Sequence, residues 1–342
     1  MADTSEAERL VQAIINNLPA EVPGRRPVHT IGMGVKAEFV ASEVARTYCV
    51  AEHFRGHPVP VTVRFSNGLG GPDQHDGWSD VRGMATKFHL ADGKEADLIA
   101  TTLGEFFVRN PKEFFDFADQ VKLKPYQRRN PWLKIWDMLQ LKQPPRDPYL
   151  DETENVNADA VGYANKNRFA QLGVVQEGTI GAPVSYARAS YHAVHTFWVT
   201  DPKGVRRPVR FSWQPVAGVR NTPSSAVPTD RYLYQELEDR LRRWPARFLL
   251  MMTIGETGDA FNDPTEPWPA RRTRVVMGTL TLIRVSENQT EDGERISFNP
   301  WHLTPGIEPS EDPVLAARRG AYEFSHEERA KCPFAGRQAD AK

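Results

Sequence analysis

The chain has 342 residues, of which 40% are hydrophobic and 25% are charged, and its formal net charge is −1. These values are ordinary for a globular protein, and nothing in them suggests the basic face or stripe that a nucleic-acid-binding surface would need. No stretch approaches the roughly 20 apolar residues that a membrane-spanning helix needs, and the acidic N-terminus lacks the apolar core of a signal peptide. We therefore expect a cytoplasmic protein in which Cys49 and Cys332 are two reduced thiols rather than one long-range disulfide.

The first part of the chain is predicted to begin with a helix and to continue as strands. Ser5 and Glu8 form a capping-box pattern before apolar residues at helical spacing, which predicts a helix over residues 5–18. The segment from Val22 to His29 contains two prolines and a glycine, so we expect it to be extended. Stretches rich in β-branched and aromatic residues predict strands at 59–65, 83–90 and 96–101.

The rest of the chain mixes further strands with charged helices. The predicted helices are 110–121, 229–243 and a last one from Asp312 to about Lys331; the predicted strands are 190–200, 205–213, 247–254 and 274–285, with irregular structure over 124–157. Many antiparallel-looking strands with helices at the edges predict an α+β fold, in which helices surround an antiparallel β-barrel. Neither a repeat nor a low-complexity linker divides the chain. We expect a single domain over residues 1–342, with the N-terminal helix in 1–20 and the core over 22–331.

Two polar residues and a group of aromatics are candidates for a functional site. His29 follows Arg26-Pro27-Val28, and a histidine there could be a general base near neutral pH; a loop histidine with a backbone hydrogen bond is the ordinary alternative. Arg64 alternates with apolar residues on a predicted strand. On an inward face it would need an anion, whereas on a surface strand it would form an ordinary ion pair. Aromatics as dense as those from Phe106 to Phe114 are more typical of a core than of a cofactor pocket.

The final helix carries the most specific pattern. Arg318 and Tyr322 are four residues apart, so their side chains lie on one face within reach of each other. A guanidinium held against a phenol favours the phenolate, and tyrosinate is a known axial ligand of haem iron. Arg329 lies seven residues further on, roughly on the same side. An exposed Arg–Tyr contact is the ordinary alternative.

Together and in this order, these groups resemble the haem-containing catalases, from about Val22 to Arg329. The stretch from Asp80 to Phe88 is similar to that family's D-x-R-G-x-A-x-K-F motif. Among catalases, the chain looks like the small catalase-related peroxidases, which have a catalase core without the long N-terminal arm and the C-terminal domain. The resemblance implies a catalase-type β-barrel that binds haem b.

The resemblance also implies roles for individual residues. His29 would be the distal catalytic base, supported by Ser66, and Thr101 stands where familiar catalases have an asparagine. A threonine hydroxyl can hydrogen-bond a peroxide oxygen but does not reproduce the donor geometry of an amide. Tyr322 would be the axial ligand of the haem iron. The residues implied to bind or support the haem are Arg26, Val28, Arg64, Phe107, Phe114, His195, Asp312, Arg318, Tyr322 and Arg329.

The activity implied is reduction of organic hydroperoxides and hydrogen peroxide through a ferryl intermediate, with weak or no catalase activity. The substrates would be a peroxide and a small-molecule reductant. No NADPH is expected, because no counterpart of the NADPH site used by some catalases is evident. A true catalase, a fatty-acid hydroperoxide isomerase and a haem-binding sensor or carrier remain alternatives. The oligomeric state is open, and a homodimer is one arrangement.

Overall fold

The computed structural model describes residues 5–17, 24–68, 75–78, 80–120, 163–164, 166–223 and 228–331. In this part of the chain the α-helices are α1 (Glu6–Asn17), α2 (Ala45–Tyr48), α3 (Pro111–Gln120), α4 (Gln171–Thr179), α5 (Tyr232–Arg243) and α6 (Pro313–Ala330). The strands are β1 (Gly32–Ala41), β2 (Val59–Asn67), β3 (Arg82–His89), β4 (Glu95–Thr101), β5 (Tyr191–Thr200), β6 (Arg206–Pro215), β7 (Ala246–Ile254), β8 (Arg274–Val285) and β9 (Ile307–Pro309).

Eight of these strands form a closed antiparallel barrel. The strand order is β4-β3-β2-β1-β8-β7-β6-β5, and β5 pairs back with β4 through His192 and Thr101. The short strand β9 pairs antiparallel with residues 197–199 of β5. Closure removes the free strand edges that would otherwise invite association. The fold is therefore the predicted α+β barrel with helices around it.

The barrel interior is a continuous apolar core, and alternation along β2 shows how the two faces differ. Val61, Val63 and Phe65 point inward and belong to the main hydrophobic cluster. Arg64 and Ser66 alternate with these residues along the strand, so their side chains lie on the outer face, and each is nevertheless only 3% exposed. Because side chains alternate along a strand, these two polar residues need a cover outside the barrel. The cover comes from the N-terminal segment and from residues 286–298.

Most of the predicted elements are confirmed within a few residues. The hairpin of β5 and β6 closes across residues 201–204, and Asp312 caps α6 as expected, accepting hydrogen bonds from the backbone N–H groups of Val314 (2.8 Å) and Leu315 (3.3 Å). Ser5 likewise accepts from the N–H of Glu8 at 3.1 Å. The irregular segment predicted over 124–157 lies outside the described residues. Strands β1 and β9 and helices α2 and α4 were not predicted.

The expectation of an extended segment before β1 is wrong for the residues that are described. Residues 24–29 form turns and bends, and His29 has a φ of +52°, in the left-handed region. Two hydrogen bonds hold it there: its N–H donates to Gly68 O (2.7 Å), and its carbonyl accepts from Arg64 Nη2 (2.8 Å). Prolines alone indicated an extended chain, but these long-range bonds decide the conformation. A non-glycine residue in this region is uncommon and often marks a functional site.

Helix α1 packs against α6 and α3 on the outside of the barrel. The contact with α6 is close, because a Cβ added at Gly320 would lie 2.9 Å from Ala7 Cβ. Leu10 and Val11 are the buried residues of α1. In the described ranges, no helix is long and apolar enough to cross a lipid bilayer. Cys49 is buried with a free thiol, whereas Cys332 lies outside the described residues.

Candidate functional site

A cavity lies between the outer face of β2–β4 and the helices α1 and α6. It has about 870 Å³ of non-atom space, including the part open to solvent. Strand register explains its floor. Ser66 pairs with Gly83, and Gly83 pairs with Thr101, so these three residues form one row across three strands. Helix α1 contributes Val11 and Ile14, and α6 contributes Tyr322 to the opposite wall.

The imidazole of His29 rests on this row of residues. Its Nδ1 lies 3.0 Å from Ser66 Oγ. Its ring packs on Gly83, because a Cβ added there would lie 2.9 Å from His29 Nδ1, His29 Cε1 and Ser66 Oγ. Glycine is therefore required beside the ring. The structure thus brings together the predicted residues His29, Ser66 and Thr101 at one wall of the cavity.

His29 is neutral over the whole physiological range. Burial, followed by repulsion from the Arg64 guanidinium, lowers its pKa to about 3. A neutral imidazole can accept a proton at one nitrogen and release it again, which is what a proton shuttle requires. The contact between Nδ1 and Ser66 Oγ holds the ring in position for this exchange.

Three arginines from distant parts of the chain meet at one side of the cavity. Arg26, Arg64 and Arg329 all line it. Arg26 Nη1 donates to Glu294 O (2.8 Å), Arg64 Nε donates to Gly293 O (2.5 Å), and Arg329 Nη1 donates to Ser325 O (3.1 Å). In the described part of the chain, none of the three has a carboxylate within 4 Å.

The electrostatics of this arginine cluster are unfavourable without an anion. Burial and then repulsion from Arg64 lower the pKa of Arg26 and bring that of Arg329 to about 10. Burial also lowers the pKa of Arg64. The nearest anionic side chain is Glu294, on the π-helical turn Thr290–Arg295 that covers β1, and its attraction opposes these shifts. Partly buried, mutually repelling guanidiniums of this kind suit a ligand that carries carboxylates.

A relay of four side chains leads to the phenol at the opposite wall. Asp312 Oδ2 lies 2.6 Å from His195 Nδ1, and His195 Nε2 lies 2.7 Å from Arg318 Nη1. Arg318 Nη2 then donates to the hydroxyl oxygen of Tyr322 at 2.7 Å. Asp312 and His195 are 1% and 2% exposed, so solvent does not compete with these bonds.

The relay has one consistent arrangement of protons. Asp312 accepts from Nδ1–H of His195, which leaves Nε2 unprotonated to accept from Arg318. Burial lowers the pKa of His195, in agreement with a neutral ring. His195 lies in β5 between Ala193 and Phe197, where the pairing with β6 shifts register. Such an irregularity redirects a side chain from its regular alternation. The guanidinium is thereby fixed at the phenol oxygen.

Not all of the predicted site residues border the cavity. Phe107 packs against Phe114 (ring centroids 6.3 Å apart) and Phe117 (4.4 Å), in an aromatic cluster beside α3. Phe107 and Phe114 are not among the described residues that line the cavity, whereas Val28 is. The predicted role of these two rings in walling the site stays a prediction. His195 and Asp312 reach the cavity only through Arg318.

Sequence reasoning missed several residues that build the site. Gly83 belonged to a recognised motif, but nothing in the sequence indicated that the imidazole of His29 lies on it. The π-helical turn Thr290–Arg295 brings Glu294 and the carbonyl of Gly293 to the arginines, and no local sequence pattern indicates this turn. Ser325, four residues before Arg329, accepts from Arg329 Nη1 at its Oγ (3.0 Å); the helical spacing could have indicated this contact.

Comparisons with known proteins agree with this geometry. Residues 8–146 and 163–335 match the family model described as catalase. A catalase-related peroxidase of Synechococcus elongatus is 30% identical, over 90% of this chain and 84% of its own length. The catalase-related peroxidase of Mycolicibacterium paratuberculosis is also 30% identical, over 89% of this chain and 88% of its own length. A catalase of Pseudomonas aeruginosa is 27% identical over 87% of this chain, but the match covers 55% of that catalase.

The cavity and its residues fit haem. Clustered guanidiniums suit the carboxylates of a porphyrin, and a phenol held by an arginine suits ferric iron. The matches to the family model and to the two peroxidases extend over nearly the whole chain. The chain therefore belongs to the catalase family, as a haem oxidoreductase that acts on peroxide and is similar to the small catalase-related peroxidases.

Proposed function

We propose that this protein is a haem b peroxidase that reduces organic hydroperoxides, and also hydrogen peroxide, with weak or no catalase activity. Each hydroperoxide is converted to an alcohol and water, with two electrons and two protons from a small-molecule reductant. When bound, the haem supplies the iron and the redox chemistry. The observation that carries the proposal is that a single cavity is lined by the His29 imidazole, the Tyr322 phenol and three clustered arginines, of which Arg64 is buried and Arg26 and Arg329 are partly buried.

The residues suited to hold the cofactor are distributed over three sides of the cavity. Arg26, Arg64 and Arg329 would hold the two propionates and would thereby be relieved of their mutual repulsion. Tyr322 would bind the iron as the phenolate, and Arg318 donates to its oxygen. The buried partners of Arg318, His195 and Asp312, keep that guanidinium in place, as outer partners of metal ligands do in other proteins.

His29 is the group that moves the proton. As a neutral imidazole it accepts a proton from one peroxide oxygen at its free ring nitrogen and returns it to the other oxygen, which then leaves as water or alcohol. Ser66 keeps the ring in position through Nδ1. Thr101, in the same row of residues, offers a hydroxyl that can bond to the peroxide. Proton transfer of this kind contributes about 10²–10⁴-fold to a rate.

Two features favour organic hydroperoxides and peroxidase turnover. The cavity lining beside His29 includes the apolar residues Val28 and Ile99, which suit the organic part of a hydroperoxide. Thr101 replaces the amide donor that familiar catalases place beside the distal histidine. Two relatives that match over more than four fifths of their own length are named catalase-related peroxidases.

Catalase activity is the second candidate, and the His29–Ser66 hydrogen bond favours it, because the resemblance to catalases rests partly on this pair. Steady-state assays separate the two functions. Reduction of cumene hydroperoxide coupled to oxidation of a phenolic donor is expected to exceed oxygen release from hydrogen peroxide. Rapid oxygen release without a donor would refute the assignment as a peroxidase and establish a catalase.

The cofactor itself is tested by absorption spectra of the ferric protein and of Tyr322→Phe. We expect stoichiometric haem and a high-spin phenolate spectrum that is lost or strongly altered in the variant. A spectrum that does not respond to the substitution would refute Tyr322 as the ligand. His29→Ala is expected to keep haem but to lose peroxide reactivity. Full reactivity in this variant would remove His29 from the mechanism.

A further inference from the structure

A second surface feature lies at the same end of the barrel as the cavity. The three most exposed large hydrophobic side chains in the described ranges are Trp244 (75% exposed), Val219 (59%) and Val216 (57%). Ile283, at 45%, is also exposed. An exposed tryptophan with aliphatic neighbours is unusual on a protein surface that serves no interaction.

Strand pairing brings these residues to one rim. β6 ends at Pro215, which pairs with Phe248 of β7, and the N–H of Val216 donates to the carbonyl of Arg247 at 2.9 Å. Ala246 of β7 pairs with Leu282 of β8, next to Ile283. Neighbouring strands are about 4.8 Å apart, so the segments 215–220, 243–247 and 281–285 form a continuous edge. We call these three segments the basic rim.

The basic rim is strongly positive. It contains Arg220, Arg243, Arg247 and Arg284 and no aspartate or glutamate, although the whole chain has a net charge of −1. All four arginines are exposed. The acidic residues of the adjacent helix α5 are paired with its other arginines, Arg240 and Arg242. The first carboxylate after β8 is Glu287.

We propose that the basic rim docks this protein onto an anionic lipid surface. Indole rings favour the boundary between lipid and water, and exposed aliphatic side chains can enter the same layer. Guanidiniums bind the phosphates of lipid headgroups, and each basic residue near an anionic bilayer adds to the attraction. A second copy of this chain fits less well, because a two-fold interface on the rim would set arginines against arginines.

Docking through the rim orients the site toward the lipid. In an antiparallel barrel, the ends of β2, β4, β6 and β8 and the starts of β1, β3, β5 and β7 lie at one end. Ser66 and Thr101 are near the ends of β2 and β4, so they lie at the same end as the basic rim. This arrangement gives the peroxidase a source of organic hydroperoxides, namely oxidised acyl chains of the membrane. The supply of hydroperoxides from the membrane rests on the proposed function, whereas docking to the lipid surface does not.

The test is sedimentation of the haem-loaded protein with vesicles, without peroxide. We expect binding to vesicles of phosphatidylcholine mixed with phosphatidylglycerol, little binding to phosphatidylcholine alone, and weaker binding at high salt. The double variant Arg243→Gln/Arg247→Gln should bind about 30-fold more weakly, since each arginine contributes about fivefold near an anionic surface. Trp244→Ala should reduce the binding that remains at high salt.

The matched control is Arg46→Gln/Arg55→Gln, which removes two exposed arginines at the opposite end of the barrel. It should bind like the unmodified protein, and all variants should keep their haem and their activity on a water-soluble hydroperoxide. Equal loss of binding in rim and control variants would overturn the proposal, as would absence of binding to anionic vesicles. Self-association that depends on Trp244 would also overturn it and assign the rim to a dimer. None of these results bears on the peroxidase assignment, which the activity assays test separately.

Discussion

Adding one methyl group at Gly83 should disable the distal side of the site while leaving the haem in place. The Cβ of an alanine would lie 2.9 Å from two atoms of the His29 ring and from Ser66 Oγ. Ordinary contacts of a Cβ begin at about 3.4 Å, so the ring must move by about half an ångström to reach one. The backbone of His29 cannot follow, because Gly68 and Arg64 hold it at both ends. The imidazole must therefore rotate away from Ser66.

The expected result of Gly83→Ala is a fall of about 100-fold in the second-order rate constant for peroxide. The estimate follows from the contribution of a positioned general base, about 10²–10⁴-fold, and from the cost of misplacing it by about 1 Å. The assay is stopped-flow absorbance of the haem-loaded protein mixed with hydrogen peroxide. The cost in stability should be about 1–3 kcal/mol, as for other overpacked sites.

Gly104→Ala is the control, because a Cβ there would meet Gln176 at 3.5 Å, an ordinary contact. It should react with peroxide at the rate of the unmodified protein. If Gly83→Ala binds haem and also keeps that rate, His29 is not held by this packing, and the reasoning from the ring contact is wrong. A Gly83→Ala protein that takes up no haem would also contradict it, since the argument confines the damage to the distal side.

Three further predictions concern pH, the helix cap and Thr101. In the haem-free protein, burial lowers the pKa values of His29 and His53 to about 3. Below about pH 6.5 the unfolded chain therefore binds protons at these histidines that the folded chain does not bind, so the free energy of unfolding, which is complete above that pH, should fall by about 1.4 kcal/mol per histidine per pH unit. His53→Phe should halve the contribution of this pair, as measured by urea denaturation. Asp312→Ala removes a helix cap and the buried partner of His195, so we expect a loss of about 2 kcal/mol in the same assay and an altered haem spectrum; an unchanged spectrum would separate the relay from the iron. Thr101→Asn restores an amide donor in the cavity and should raise oxygen release from hydrogen peroxide relative to donor oxidation, as measured with an oxygen electrode; an unchanged ratio would show that Thr101 does not limit catalase activity.

Local chemistry made the ends of helices and the relay pair predictable. Asp312 before a proline is a cap that needs no knowledge of the fold, and the four-residue spacing of Arg318 and Tyr322 places them together on any helix. The hairpin of β5 and β6 was equally local. The barrel followed from the number of antiparallel-looking strands with helices at the edges, although its closure through His192 and Thr101 involves residues 91 positions apart.

Strand β1 was not predicted because its glycines are required by close contacts with residues that are distant in the sequence. A Cβ at Gly32 would lie 2.2 Å from the guanidinium carbon of Arg64, and one at Gly34 would lie 2.6 Å from the backbone of Asp292. In the sequence, glycines so close together indicate a loop, because glycine usually weakens a strand. Inside a strand, glycine is favoured only where another group must approach the backbone closely. The backbone conformation of His29 was not predicted for the same reason. Its left-handed backbone depends on Gly68 and Arg64, which only the folded chain brings to it.

The arginine cluster implies a trade-off between the stability of the free protein and its affinity for the cofactor. Burial and the proximity of Arg64 bring the pKa of Arg329 to about 10 from an ordinary 12.5, which corresponds to an unfavourable free energy on the order of 3 kcal/mol. A porphyrin with two propionates removes this penalty, so binding and stability are linked. Arg329→Gln should therefore raise the urea midpoint of the haem-free protein and speed the loss of haem to apomyoglobin. The control Arg319→Gln changes an exposed arginine of the same helix, paired with Glu323 at 3.6 Å, and should change neither quantity. A variant of Arg329 that lowers both the stability of the free protein and the affinity for haem would show that the cluster is a structural element instead of a site held ready for carboxylates.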